Sequence, residues 1–346
     1  MTRLALVMIA RDEAHAIGRA LDSARAHVDR MIVLDTGSVD DTVAIATRHG
    51  AEVRHFTWVD DFAAARNAAL AHSDAAWNLV LDADEWIEGG GEALAALAAS
   101  GGERVGLVRL ENQTDTPGGE ASNVWLPRIL PRGVRYEGRV HEQPVGAKGS
   151  FRTTLVLGHD GYTAANLERK AGRNEALLMA ELQSAPEDPY LWYQLAREHQ
   201  VRDRPPQAAL CFAEALRLAP TDVPWRHGLV VRALTALKTA GRLEEALDLA
   251  GAEIDRWPGS PDFYFALGDL YLECASQAPE RAATDFLPIV ESAWKRCLEI
   301  GEQPSLDGSV PGRGSHMAAH NLAVFYETLG RKDEAARYHA IAARRG

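Results

Sequence analysis

Cysteine is scarce in this chain: three among 346 residues, Cys211, Cys274 and Cys297, at spacings that fit no zinc pattern. Their odd number and positions argue against a disulfide framework and for buried free thiols in a reducing compartment. Positive charge is also in short supply, with 37 Lys and Arg against 49 Asp and Glu, a formal net charge of −12. General nucleic-acid binders carry a basic face, so no nucleic-acid partner is expected. No uninterrupted apolar run approaches the roughly 18 residues of a membrane span. The apolar stretch Leu4–Ala10 meets Arg11-Asp12-Glu13 before any cleavage-like position, which is not the layout of a secretory signal. Missing too are a Gly-x-Gly-x-x-Gly after the first strand and a Gly-Lys-Ser/Thr loop, which disfavours a classical dinucleotide fold and a P-loop enzyme. These absences leave the expectation of a cytoplasmic protein of ordinary composition, 46% hydrophobic and 25% charged, with length for about two domains.

What the chain does have is centred on Leu79-Val80-Leu81-Asp82-Ala83-Asp84-Glu85-Trp86-Ile87. An apolar run of strand character ends in two acids one residue apart, with a third directly after. Asp82 and Asp84, at i and i+2, share one side of an extended backbone, so both carboxylates can reach one hard cation. Carboxylate oxygens suit Mg²⁺ or Mn²⁺, and such ions complete their shells with phosphates. The plainer reading is a strand ending in a solvated acidic turn, and the surroundings decide between the two.

Upstream, strand-like and helix-like stretches alternate with short connections. Leu4 to Ala10 reads as a strand, Ala14 to His27 as a helix, and Met31 to Leu34 as a strand. A helix capped by Ser38 follows, running to about His49. Ala51 to Phe56 is the third strand, Phe62 to His72 a helix behind Asp60-Asp61, and Trp77 to Leu81 the fourth strand. Such alternation predicts a parallel sheet with right-handed crossovers and a ligand beyond the carboxyl ends of the strands. Arg11, Asp12 and Glu13, then Asp35, then Asp60 and Asp61, then Asp82 and Asp84 all fall at those ends. Further on come a small helix, Glu92 to Ala99, and strands at Val105–Leu110 and Val124–Leu130 around a polar loop. That loop, Asn112 to Ser122, reads as a lid, an acceptor-binding segment or a surface excursion.

The pieces Ala10-Arg11-Asp12-Glu13, Val33-Leu34-Asp35-Thr36-Gly37-Ser38-Val39-Asp40-Asp41-Thr42, Trp58-Val59-Asp60-Asp61-Phe62-Ala63-Ala64-Ala65-Arg66-Asn67 and Leu81-Asp82-Ala83-Asp84-Glu85 together resemble family 2 glycosyltransferases of GT-A fold. The likeness covers about residues 1 to 175. It implies an α/β GT-A (Rossmann-like) catalytic domain, a nucleotide-sugar donor, a divalent metal and inversion at the anomeric carbon. Under the resemblance, Asp35 reads a pyrimidine base and Ala10, Arg11 and Glu13 line the nucleoside pocket. Arg66 supports the pyrophosphate or the strand edge, with an internal salt bridge as its other reading. Asp82 contacts ribose or the metal and its water, and Asp84 ligates the metal. Tyr136-Glu137-Gly138-Arg139-Val140-His141-Glu142 and Gly158-His159-Asp160-Gly161-Tyr162 are similar to the branch that holds the sublancin-type peptide S-glycosyltransferases. That likeness implies Glu142 as catalytic base and His159 as metal ligand, with His141 a competitor for either role. Arg128, Arg132 and Arg139 are either diphosphate contacts or surface ion pairs.

From about Glu168 the strand signals stop. Trp192, Leu195, Ala196, His199, Ala208, Phe212, Ala215 and Pro220 fit the roughly 34-residue tetratricopeptide pattern. Copies follow around Gly241, Ala246 and Pro258, around Tyr264-x-x-Leu267-Gly268-x-x-Tyr271, and around Leu322, Tyr326, Gly330 and Ala335. The expected domains are therefore residues 1–167, a glycosyltransferase domain, and 168–346, an all-α repeat domain. Stacked repeats bury a continuous core and leave a curved surface that either binds a peptide, pairs with a second subunit or only buttresses. The resemblance suggests a homodimer. The expected activity is metal-dependent, inverting sugar transfer from a UDP-sugar to a peptide or protein. A lipid or polysaccharide acceptor, or a non-catalytic repeat scaffold, is the alternative.

Overall fold

A computed structural model describes residues 3–99, 102–112, 123–159 and 172–343. The chain divides into two compact units, Met1–Leu177 and Leu178–Gly346.

In the first unit β1 (Leu4–Ala10), β2 (Arg30–Asp35), β3 (Glu52–His55) and β4 (Trp77–Val80) alternate with α1 (Ile17–Arg25), α2 (Thr42–Arg48) and α3 (Phe62–Leu70). β5 (Glu85–Gly89), α4 (Glu92–Ala99), β6 (Val105–Asn112), β7 (Asn123–Pro131), β8 (Arg135–Glu137), β9 (Gln143–Val145) and β10 (Ser150–His159) follow. Among the described residues one eight-stranded sheet runs β3-β2-β1-β4-β7-β6-β10-β5, and β8 and β9 form a separate hairpin. β3, β2, β1 and β4 are parallel, whereas β7 opposes both β4 and β6 and β5 opposes β10. The sheet is thus parallel on one side and mixed on the other.

β1 is buried almost throughout because both its faces are covered. Leu4, Leu6 and Met8 join Ile17, Leu21 and Ala24 of α1 on one face, while Val7 packs with Leu34 and Ala69 of α3 on the other. That alternation follows from the two-residue period of a strand. α1 buries Ile17, Ala20, Leu21 and Ala24, the spacing expected of one helix face. α3 begins where Asp61 accepts a hydrogen bond from Ala64 N at 2.8 Å. Ser38, expected as the cap of α2, does something else: its hydroxyl accepts from Asp12 N at 3.0 Å, and Asp41 stands at the cap position. The serine is drawn across to the loop after β1, so the helix starts later than its sequence suggests.

α5 (Arg173–Ser184) leads into the second unit, which holds four packed helix pairs. They are α6 (Pro189–Val201) with α7 (Pro205–Leu218), α8 (Arg226–Thr239) with α9 (Leu243–Glu253), α10 (Pro261–Gln277) with α11 (Leu287–Ile300), and α12 (His316–Thr328) with α13 (Lys332–Ala342). Asp188 and Ser260 cap α6 and α10 through their side chains. The third pair is interrupted by a π-helical turn, Ala282–Phe286, where the repeat pattern lapses. Ala208, Phe212, Ala246, Leu322 and Tyr326 are buried between the helices, and Gly268 lets the Trp294 ring close on α10. Cys211, Cys274 and Cys297 are buried, and none of them is in a disulfide. Among the described residues no helix is long and apolar enough to cross a membrane.

Candidate active site

The parallel register brings the carboxyl ends of β1, β2 and β3 level: Ala10 faces Asp35, and Asp35 faces His55. Val7 faces Val80, so the acidic turn after β4 stands level with the end of β1. Ala10 is buried there, and its carbonyl accepts from Thr36 N at 2.9 Å and Thr36 Oγ1 at 3.2 Å. Arg11 is exposed and lies 3.8 Å from Asp12. Glu13 donates its N–H to Thr42 Oγ1 at 2.7 Å, and its carbonyl starts α1. Three non-glycine residues on this edge have positive φ, Asp12 at 55°, Asp60 at 55° and His141 at 52°. Left-handed backbone at such residues costs energy and gathers at functional sites.

Asp35 is 4% exposed and accepts from Gly37 N at 3.2 Å and from Ser38 N, with His55 Nδ1 3.3 Å away. Burial alone would raise its pKa, but the hydrogen bonds from Ser38, Gly37 and His55 outweigh it and hold the carboxyl below 3.8.

The acidic turn is bound up with two arginines. Arg66 donates from Nη2 to Asp82 Oδ1 at 2.6 Å and from Nε to Glu142. Arg128 donates from Nη2 to Asp82 Oδ2 at 2.6 Å and also to Glu85. Glu85 is 1% exposed and takes a further hydrogen bond on its second oxygen from Asp82 N at 3.0 Å. Burial raises the Glu85 pKa despite Arg128 beside it. For Arg66 and Arg128 burial works against the charge, but the carboxylates around each win and keep both pKa values above the ordinary arginine value. Tyr136 lies under Arg66, ring centroid 5.5 Å from the guanidinium carbon, and its hydroxyl is pushed up to about 12 by burial.

α3 assembles this constellation. Phe62 N donates to Arg139 O at 2.8 Å, and Arg66, one turn on, reaches Glu142. Asn67 closes a two-way bond with Tyr136, Nδ2 to O at 2.9 Å and Tyr136 N to Oδ1 at 2.8 Å. The loop from β8 to β9, which carries His141 and Glu142, is thereby tied to the helix after Asp60-Asp61.

His159 reaches the same edge by a different route. It ends β10 and pairs with Glu85 of β5, which sets its Nε2 3.5 Å from Asp84 Oδ2. Asp84 and His159 present an oxygen and a nitrogen from mostly buried side chains, a pair suited to a divalent cation that keeps most of its shell for phosphate and water. Both Asp82 oxygens meet arginines. Among the described residues no group of three or more His, Cys, Asp or Glu is poised around one point.

The structure brings Asp82, Arg66 and Glu142 into one ion-paired group and sets Asp84 beside His159. It places Ala10 and Asp35 on neighbouring strand ends, and Arg11 and Glu13 in the loop after β1. Arg128 is not a surface pair but 9% exposed, held by Asp82 and Glu85. Glu85, Tyr136 and Asn67 were given no role by sequence reading; the available signal was the third acid after Asp-x-Asp and the polar pair Arg66-Asn67 inside an alanine-rich helix. The expected lid, Asn112 to Ser122, lies largely outside the described residues, as do Asp160, Gly161 and Tyr162.

A parallel half-sheet with acids at its carboxyl edge, extended by a mixed half that returns a histidine to that edge, is the GT-A architecture expected from the motifs. The family model Glycosyl transferase family 2 matches residues 5–133. A TPR repeat-containing protein of Synechococcus elongatus is 36% identical over 206 residues, 55% of this chain and 51% of that protein. The SPbeta prophage-derived glycosyltransferase SunS of Bacillus subtilis is 28% identical over 211 residues, 58% of this chain and 50% of that one. The chain thus spans about half the length of the curated relatives it matches. Among solved structures, the glucosyl-3-phosphoglycerate synthase of Mycobacterium tuberculosis is 25% identical over 32% of this chain and 44% of that one, at a TM-score of 0.27. The first unit is a family 2 glycosyltransferase domain, and tetratricopeptide-type repeats follow it.

Proposed function

We propose that the first unit transfers a sugar from a nucleotide-sugar, a UDP-sugar by its motifs, to a peptide or protein acceptor with inversion. The observation that carries this reading is the gathering of Asp82, Asp84, His159 and Glu142 at the carboxyl edge of a domain of this family. Asp35, held ionised beside the ends of β1 and β2, accepts from the ring N–H of a pyrimidine, and Ala10, Arg11 and Glu13 flank it. Asp84 and His159 hold Mn²⁺ or Mg²⁺, which when bound supplies positive charge against the leaving diphosphate. Glu142 takes the acceptor proton as the nucleophile forms its bond to the anomeric carbon and the bond from that carbon to the diphosphate oxygen breaks. His141, in strained backbone next to it, lies beside the incoming acceptor.

The peptide or protein acceptor rests on the likeness of the Tyr136–Glu142 and His159 segments to the peptide-modifying branch. It is also supported by a cavity of about 490 Å³ between α10, α11 and α12, lined by Phe265, Leu272, Trp294, Val324 and Phe325. That volume suits apolar side chains of a bound segment.

Calorimetric titration with UDP and then UDP-sugars, with Mn²⁺ or with chelator, tests the donor side. Micromolar binding to the wild type that needs the metal, and that Asp84→Ala weakens at least about tenfold, is the expected outcome, a tenfold change being about 1.4 kcal/mol. A folded wild type that binds no UDP with Mn²⁺ would defeat the UDP assignment.

A further inference from the structure

The ion pairs of this site form one chain. In order it runs Glu142, Arg66, Asp82, Arg128, Glu85, with the sign of charge alternating at every step. Each arginine serves two carboxylates, and Asp82 gives one oxygen to each arginine. Four of the five side chains are nearly removed from water, at 9% for Glu142, 7% for Arg66, 10% for Arg128 and 2% for Glu85. Buried ion networks seldom stabilise a fold more than apolar packing does, so thermal stability alone is a poor reason for five charges here. The ends of the chain suggest another. Glu142 comes from the loop that the functional reading places on the acceptor side, and Asp82 and Glu85 come from the acidic turn on the donor side. Arg66 pairs with one carboxylate on each of those two sides.

We propose that Arg66 is a positioning residue that couples Glu142 to Asp82, while Arg128 fixes Asp82 from its other side against Glu85. The proposal rests on the reading of Glu142 and Asp82 as the two sides of the transfer site. Two properties of arginine carry it. Its planar guanidinium holds several N–H donors in a rigid fork, so Nε and Nη2 of a single side chain serve two carboxylates at once; a lysine ammonium is one compact charge and lacks that fork. Losing Glu142's charge leaves Arg66 to Asp82 alone, which draws that carboxylate away from a nucleotide.

Two measurements on the full chain decide it. In the first, the affinity for UDP with Mn²⁺ is read by calorimetry. Glu142→Gln is expected to weaken it about three- to tenfold, although Glu142 is not on the donor side. In an Arg66→Lys background the same substitution is expected to change it less than about twofold. Unchanged affinity in Glu142→Gln, where the wild type binds UDP, overturns the coupling. In the second, melting temperatures without ligand are compared for Asp82→Asn, Glu142→Gln and the double variant. Either single change leaves Arg66 one carboxylate, and the double change leaves a buried guanidinium with neither. The double variant is therefore expected to melt about 2–8 °C below the sum of the single shifts. Additive shifts overturn the proposal. Should the wild type fail to bind UDP, the donor assignment falls and the melting cycle alone decides the coupling.

Discussion

At the scale of single residues, the first unit holds carboxylates of opposite tendency, and pH separates them. Asp35 has its folded pKa below 3.8, so its stabilising contribution is complete above the unfolded value and is lost as pH falls through the folded one. Glu85 has its folded pKa above 4.5, so the native chain binds that proton more tightly than the unfolded chain, and stability falls as pH rises through that window. Denaturant unfolding measured across the acid range should show the difference in slope. Asp35→Asn is expected to flatten the loss of stability on acidification below about pH 4, and Glu85→Gln to flatten the fall that begins near pH 4.5 on the way up. A Glu85→Gln slope equal to that of the wild type would mean that this acid titrates alike folded and unfolded. The positions of Asp35 and Asp82 stand out in the sequence because each closes an apolar run, and Asp84 follows two residues on. The pairing of Arg66 with Glu142 is not legible there, because 76 residues separate them and nothing local marks either as buried. Arg128 and Glu85, 43 apart, were hidden in the same way. Long-range ion pairs have no period to read.

At the scale of elements, β1 to β4 and α1 to α4 sit close to where hydrophobic spacing puts them, because parallel strands buried on both faces leave short continuous apolar runs. β5 and β10 escaped that reading for a physical reason. β5 carries Glu85 and Glu88 in five residues, and the first half of β10 alternates between exposed and half-buried positions. Yet this pair delivers His159 to Asp84, and Gly90 is what closes it. Gly90 has φ 73°, and a Cβ built there would lie 2.1 Å from the Thr154 carbonyl oxygen. The Thr154 oxygen belongs to the backbone, so no side chain can move aside to relieve the clash. Gly90→Ala is expected to cost at least about 1–3 kcal/mol, the sum of a left-handed non-glycine residue and a forced shift of β10. Chemical denaturation checks it, with Gly89→Ala, where nothing lies within 4 Å of the added methyl group, as the neighbouring control. Equal stability of the two variants would show that β10 yields without cost.

At the scale of the whole molecule, the two units bury separate cores by separate means. The first unit joins strands whose pairings span most of its length, and its core runs from Leu4 to Leu157. The second stacks helix pairs that contact their neighbours in sequence, with Trp294, Leu322 and Tyr326 at the centre of its last two pairs. Repeats of this kind hold stability locally, whereas a sheet assembled from distant strands is gained or lost together. Heat unfolding followed by calorimetry is therefore expected to resolve two transitions rather than one. Under the functional reading, a ligand that binds only the native first unit raises that transition alone, by about 2.7 kcal/mol of linkage at one hundred times its Kd. UDP with Mn²⁺ should move one of the two peaks and leave the other in place, and Asp84→Ala should abolish the movement. A single peak that shifts as a whole would show instead that the repeats and the transferase domain unfold as one body. In that case, loss of a repeat residue such as Tyr326 would lower the melting temperature of the sugar-transfer site with it.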